Sequence, residues 1–253
     1  MIKSKKLSKI KHINHGFFNR KSGFSKGIYS SLNCGLGSKD KKLNIVKNLK
    51  LVCKKINVNY KKLFLLNQVH GKKIYFINKT NKFGEKKLNG DALITNTPGF
   101  AIAVLTADCA PVLIYDKKIK MISAIHTGWK GAYKGIIQNV VKFFIKKGSD
   151  PKDLIAVIGP CISQNSYEVG MDFKSKFIKK DQKNKVFFKK IKNKIYFSLN
   201  KYISLQLLKL GVKNLEIINK NTFIPKNNFF SARHSILKKD KDYGRNISII
   251  MIN

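Results

Sequence analysis

The stretch FAIAVLTADCAPVLIYD, residues 100–116, constrains the fold more than any other part of the chain. It is apolar almost throughout, and a polar, proline-bearing junction at 106–111 breaks it into two. Each half has the length of a strand and is apolar at consecutive positions, the pattern of a strand covered on both faces. Two such strands need layers on either side of them.

The flanking segments supply those layers. KMISAIHTGWKG reads as another buried strand ending in a glycine-flanked turn, and DLIAVIGPCI as one more. LEIINKNTF and NISIIMI are further strands, the last apolar on both faces and so central in a sheet. LFLLNQVHG and KKIYFIN read as a hairpin around a polar tip at 67–71, and GDALITN as a turn into a short strand. Residues 43–56 set Val46, Leu49, Cys53 and Ile56 on one helical face. Ala132, Tyr133, Ile136, Ile137, Val140, Val141, Phe144 and Ile145 recur with helical period, and Gly148 stops that helix. Ser198 caps a helix carrying Leu199, Ile203, Leu207 and Leu210, stopped by Gly211. Several neighbouring strands have no helix between them, which argues against a doubly wound fold. The pattern is α+β: a layered domain with mixed sheets flanked by helices. No linker or internal repeat divides the chain, so residues 1–253 form a single domain.

A formal net charge of +39 suggests a nucleic-acid or membrane-surface binder. All but three of the 52 basic residues are lysines, spread along the whole chain. Lys, Asn and Ile share A/T-rich codons, and readers of nucleic acid favour arginine. The charge therefore reads as codon bias, with no specific nucleic acid as partner. Against that background Arg20, Arg233 and Arg245 are candidate fork donors. Cys34, Cys53, Cys109 and Cys161 form no C-x-x-C pair, which points to a reduced compartment. No apolar run is long enough to span a membrane, and the basic start lacks a signal peptide's apolar core. The expectation is a cytoplasmic protein without a membrane partner.

Reactive residues stand at the ends of the buried strands: His70, then Asp108 and Cys109, then His126. One imidazole pair and one thiol match a catalytic zinc site, which has three N/S ligands and an open position. The same atoms also fit a Cys109 nucleophile with His126 as base, or a buried thiol with two satisfied histidines. Asp108, beside Cys109, is the stronger candidate to orient a ligand histidine, with Asp91 either in that role or closing a turn. Gly128-Trp129-Lys130-Gly131 leads into a helix and could hold an anion, or be an ordinary glycine turn. Cys53 and Cys161 read as core thiols, while Tyr167 and Glu168 sit on a loop within reach of the site. His12, His15 and His234 carry no signal of their own.

The strings NQVHG, GDALITN, LTADCAPVLIYD, AIHTGWKGAYKGI, IGPCISQNSYEVG and FFSARH…YGR, with SGFSKGIYSSLNCG before them, occur in order from about residue 15 to the C-terminus. In this the chain resembles the YfiH family, also called laccase-domain or polyphenol-oxidase-type proteins. The resemblance implies an α/β/β/α-like fold and a zinc ion held by His70, Cys109 and His126, with copper a weaker alternative. It implies phosphorolysis of purine nucleosides (adenosine, inosine, guanosine or methylthioadenosine, with phosphate) and deamination of adenosine. Asp108 joins the three ligands as a catalytic candidate. Asn33, Gln68, Asp91, Lys130 and Arg233 become candidate substrate-binding residues, with Lys130 and Arg233 on phosphate. Lys130 stands where the family usually has arginine, and His234 where it has the second of two arginines. A monomer is expected. The family also brings two rival activities, a peptidoglycan-precursor amidase and a polyphenol oxidase.

Overall fold

A computed structural model describes residues 1–80 and 88–253. Its strands and helices, in chain order, begin with β1 (Ile13–Phe17), α1 (Lys42–Lys55), β2 (Leu63–Phe64), β3 (Ile74–Ile77) and β4 (Ala92–Thr95). The apolar centre follows as β5 (Ala101–Thr106), β6 (Ala110–Asp116) and β7 (Met121–Thr127), then α2 (Trp129–Lys134), α3 (Ile136–Lys146) and β8 (Leu154–Ile158). The last part comprises β9 (Glu168–Val169), α4 (Met171–Lys180), β10 (Phe188–Ile191), β11 (Lys194–Phe197), α5 (Leu199–Lys209), β12 (Asn214–Ile217), α6 (Ala232–Leu237) and β13 (Asn246–Ile252).

The junction at 106–111 is where the chain changes sheets. β5 belongs to a sheet ordered β1-β13-β5-β2, and β6 to one ordered β12-β8-β6-β7-β4-β3. The two sheets pack face to face. Phe17, Ile102, Val104, Ile250 and Ile252 from the first meet Leu93, Leu113, Tyr115, Ile122, Ala124 and Val157 from the second. On the outer face of the first sheet, Ala103, Ile247 and Ile249 receive Ile45, Leu49 and Val52 of α1. On the outer face of the second, Val112, Ile114, Ile125 and Ile158 receive Ile136, Val140, Phe144, Ile203 and Leu207 of α3 and α5. The order is α/β/β/α. Each of these fully buried aliphatic side chains contributes roughly 1.5–3 kcal/mol over its exposed state. β13 is buried at all seven positions and central in its sheet, as its two apolar faces require.

Four local expectations change. β2 and β3 make no hairpin: β2 pairs with β5 in one sheet and β3 with β4 in the other, both parallel. The polar tip between them is the crossing from sheet to sheet. α1 buries Ile45, Asn48, Leu49, Val52 and Cys53, so its inner face is turned one residue from the predicted one and leaves Val46 at the rim. The helical run after β7 is two helices, because Gly135 takes a left-handed φ of 92° between α2 and α3. Ser198 precedes α5, but its hydroxyl bonds to Asn200 and not to a helix N–H.

The Lys-rich stretch from α4 to β11 is a lysine-covered flap over an aromatic cluster. Phe177 lies 4.8 Å from Phe173, 4.9 Å from Phe197 and 5.1 Å from Tyr202, between ring centroids. β9, β10 and β11 form their own small sheet here. No helix among the described residues is long and apolar enough to cross a membrane.

Candidate metal centre

Three strand ends converge at one edge of the double sheet. β7 delivers His126 at its C-terminal end, and the β5–β6 junction delivers Cys109. The crossing between β2 and β3 delivers His70. Gln68 fixes this last segment by a two-point bond to β5: its amide donates to the Leu105 carbonyl and accepts from the Leu105 N–H, both at 2.7 Å. Asp91 holds it from the other side. Its buried carboxylate accepts the N–H groups of His70 at 2.9 Å and Gly71 at 2.7 Å. His70 is thereby kept at a left-handed φ of 55°, unusual for a residue with a side chain.

The same carboxylate accepts from Nδ1 of His126 at 2.8 Å. This bond settles the tautomer and leaves Nε2 free as a ligand atom. Cys109 Sγ lies 3.7 Å from His70 Nε2, and the two imidazole rings stand 4.7 Å apart at 81°. The ligand atoms of His70, Cys109 and His126 all lie within 4.8 Å of one another. His126 is buried, Cys109 half-buried and His70 exposed, so the trio opens to solvent on one side. Gly128 closes the other side: a Cβ there would stand 2.7 Å from Cys109 Sγ and 3.0 Å from His70 Cδ2.

Charge is arranged to suit a cation. Burial alone would raise the Asp91 carboxyl, but the bonds from His126 and Gly71 hold it below the usual carboxylate range. Burial would lower His126, yet the Cys109 thiolate and Asp91 raise it. Burial would raise the Cys109 thiol, yet His126 and His70 bring it down. The thiol is thus eased toward its anion and the imidazole toward its cation, each by the other. Two nitrogens and one thiolate around an open position suit zinc. They do not suit a multi-copper cluster. The chain has five histidines, and the other three are engaged elsewhere: His12 with the Tyr115 hydroxyl, His15 with the Ser4 N–H, and His234 against the Phe223 ring.

The remaining candidates occupy different places. Asp108 does not orient a ligand histidine; Asp91 does. The left-handed φ of 78° at Asp108 turns its carboxylate away, onto Thr222 at 2.7 Å, Ser231 at 2.8 Å and the Arg233 N–H at 2.7 Å. It ties the N-terminus of α6 to the junction, and burial raises its pKa despite these bonds. Asn33 is fully buried and accepts the N–H groups of Gly35 and Arg245, both at 2.9 Å. It shapes the wall and does not face the opening. Lys130 is exposed, with its ammonium over the Trp129 ring. Cys53 and Cys161 are buried, and burial pushes the Cys161 thiol up to about 12.

Cys109 lines two cavities. One, of about 580 Å³, is the cleft that holds His70 and His126 with Gln68, Tyr243 and Arg245. The other, of about 270 Å³, is a slot between Trp129, Tyr167, Ile162, Leu199 and Arg233. Lys130 lines neither. Trp129 and Tyr243 in these walls fall inside the GWKG and YGR strings, but neither was singled out as a binding residue. Arg245 was marked by being an arginine among lysines and by closing the YGR string.

A family model described as multi-copper polyphenol oxidoreductase laccase matches residues 14–253. The chain is 33% identical to a purine nucleoside phosphorylase of Bacteroides thetaiotaomicron, over 100% of this chain and 96% of that protein. It is 30% identical to the purine nucleoside phosphorylase YfiH of Escherichia coli, over 92% and 91%. Among solved structures it superposes on a hypothetical protein YfiH of Bacillus licheniformis with a TM-score of 0.87 at 28% identity, covering 95% of this chain and 93% of that one.

Proposed function

Because the chain belongs to the YfiH family, we propose that it is a zinc-dependent purine nucleoside phosphorylase, cleaving inosine, guanosine, adenosine or methylthioadenosine with phosphate to a free base and a pentose 1-phosphate. The observation that carries this reading is the His70–Cys109–His126 trio, backed by Asp91 and open to a cleft of about 580 Å³. Relatives named purine nucleoside phosphorylase along nearly the full length of the chain support it. Zinc in this trio would supply a Lewis acid and an acidified water, the chemistry that deamination of adenosine to inosine also needs. The protein's own part is positional. Asp91 holds His126 in one tautomer and His70 in its turn, so both imidazoles face the opening without rearrangement. Asp108 is a positioning residue, setting the Arg233 backbone through α6. We assign a monomer working in the cytoplasm, with no membrane or specific nucleic-acid partner.

One observation favours a second reading. A thiol 3.7 Å from His70 Nε2, its pKa brought down by two neighbouring imidazoles, is also a nucleophile beside its acid, as an amidase acting on peptidoglycan precursors would need. A multi-copper polyphenol oxidase fits the site poorly, since the trio can hold one ion only. Chromatography of inosine or adenosine after incubation with the zinc-loaded protein separates these readings. Base formed only with phosphate, and absent in His126→Ala, is the expected result. Amide cleavage by a protein inert on nucleosides would replace phosphorylase by amidase.

A further inference from the structure

Resting on the phosphorolysis proposed above, we infer that the two cavities meeting at Cys109 divide the substrates: the Trp129–Tyr167–Arg233 slot takes the purine base and selects 6-oxopurines, and the Arg245 cleft takes phosphate. In phosphorolysis a phosphate oxygen bonds to C1′ of the ribose as the C1′–N9 bond breaks. The bonding pair leaves with the base, which gains a proton from solvent. Attacking oxygen and leaving base must lie on opposite sides of C1′. Cys109 lines both cavities, so a ribose at the thiol is within reach of both.

The contents of the cavities decide which is which. The slot is lined by an indole, a phenol ring and the apolar side chains of Ile162 and Leu199. Such walls suit a planar heterocycle. Its one cationic group is Arg233, whose guanidinium lies 5.5 Å from the Tyr167 ring centroid and is anchored by one nitrogen to the Glu168 carbonyl. A guanidinium fork matches the O6 and N7 acceptors of guanine or hypoxanthine. On adenine it meets N7 alone, so adenine nucleosides are held more weakly than 6-oxopurine ones. The only carboxylate of the slot, Asp108, is already filled by three donors. Arg233 on N7 would also face the charge that develops on the departing base. The larger cleft is more polar and carries Arg245, whose guanidinium, among the described residues, is engaged within its own loop, at the Tyr243 carbonyl and ring and 3.9 Å from Asp242. An arginine fork there suits an oxyanion. The sequence expectation had placed phosphate on Lys130 and Arg233; cavity placement moves it to Arg245.

Trp129 is the chain's single tryptophan and forms a slot wall, so its fluorescence reports base binding directly. Hypoxanthine should quench it saturably, with an affinity roughly tenfold above that of adenine. Arg233→Lys should remove roughly that tenfold preference, and Arg245→Lys should raise the KM for phosphate about tenfold while the KM for inosine moves less than threefold. The wild-type ratio of hypoxanthine to adenine affinity decides the matter even where the Arg233 variant does not fold. Equal affinities, or a preference that survives Arg233→Lys, overturns the slot assignment. Phosphorolysis of inosine with a silent Trp129 also overturns it and leaves the enzyme reading intact. Saturable quenching in a protein that turns over no nucleoside keeps the slot as a base site and removes the phosphorylase reading.

Discussion

His126 and His15 are equally hidden, at 3% and 1% exposure, and they titrate in opposite directions. His15, in β1, accepts the Ser4 N–H at 2.8 Å, and its Nδ1 has no partner among the described residues. Burial, with the Lys3 charge nearby, lowers its pKa to about 4. His126 is as deep but has Asp91 behind it and Cys109 before it, and it is raised. Depth is common to both, so the partners make the difference. A buried imidazole backed by a carboxylate and facing a thiol is a cation site; one facing a single N–H is part of the core.

The comparison breaks most sharply on removal of each ring. His126→Ala should abolish zinc retention and nucleoside turnover together, read by metal analysis after gel filtration. His15→Ala should leave the zinc stoichiometry unchanged and cost about 2–3 kcal/mol in urea unfolding, through the cavity and the orphaned Ser4 N–H. Equal zinc loss in both would show that depth, not partnership, holds the metal.

Asp91→Asn tests the partner itself. An amide keeps the shape but cannot accept all the donors that converge on Asp91, and it weakens the hold on Nδ1 of His126. Zinc affinity should fall about 10–100-fold in chelator competition. Asp108→Asn, acting at α6 and not at a ligand, should move zinc affinity less than threefold.

The sign of the pH effect follows from the shift at His15. Between its usual value near 6.5 and about 4, the unfolded chain binds a proton that the folded chain refuses. Stability tied to His15 is therefore complete above pH 6.5 and is lost as pH falls, by roughly 2 kcal/mol at pH 5. His15→Gln should flatten the difference between unfolding midpoints at pH 7 and pH 5; an unchanged difference would place the acid sensitivity elsewhere. A smaller effect than at Asp91 is expected at Gly128→Ala. The added methyl meets Cys109 Sγ and His70 Cδ2, which should cost about 1 kcal/mol of stability and weaken zinc binding a few-fold.

Buried strands, their polar ends and the α+β layering were legible because apolar runs of strand length have few other uses. What escaped the sequence was direction. Asp108 precedes Cys109 and looked like the residue behind the metal, but a left-handed φ sends its carboxylate to α6. Asp91 is 35 positions from His126 and reaches it only because β4 lies beside β7 in the sheet. The tip at 67–71 looked like a hairpin because adjacency along the chain cannot tell a turn within one sheet from a step between two. Lys130 drew attention by its glycine neighbours, yet it is Arg245, an arginine among lysines at the end of the YGR string, that lines the cleft.

The most direct measurement is the release of base from inosine by the zinc-loaded protein, with and without phosphate. The account predicts hypoxanthine and ribose 1-phosphate in equal amounts, only when phosphate is present and only while His70, Cys109 and His126 are intact. A zinc-loaded protein that leaves inosine unchanged in the presence of phosphate would contradict it.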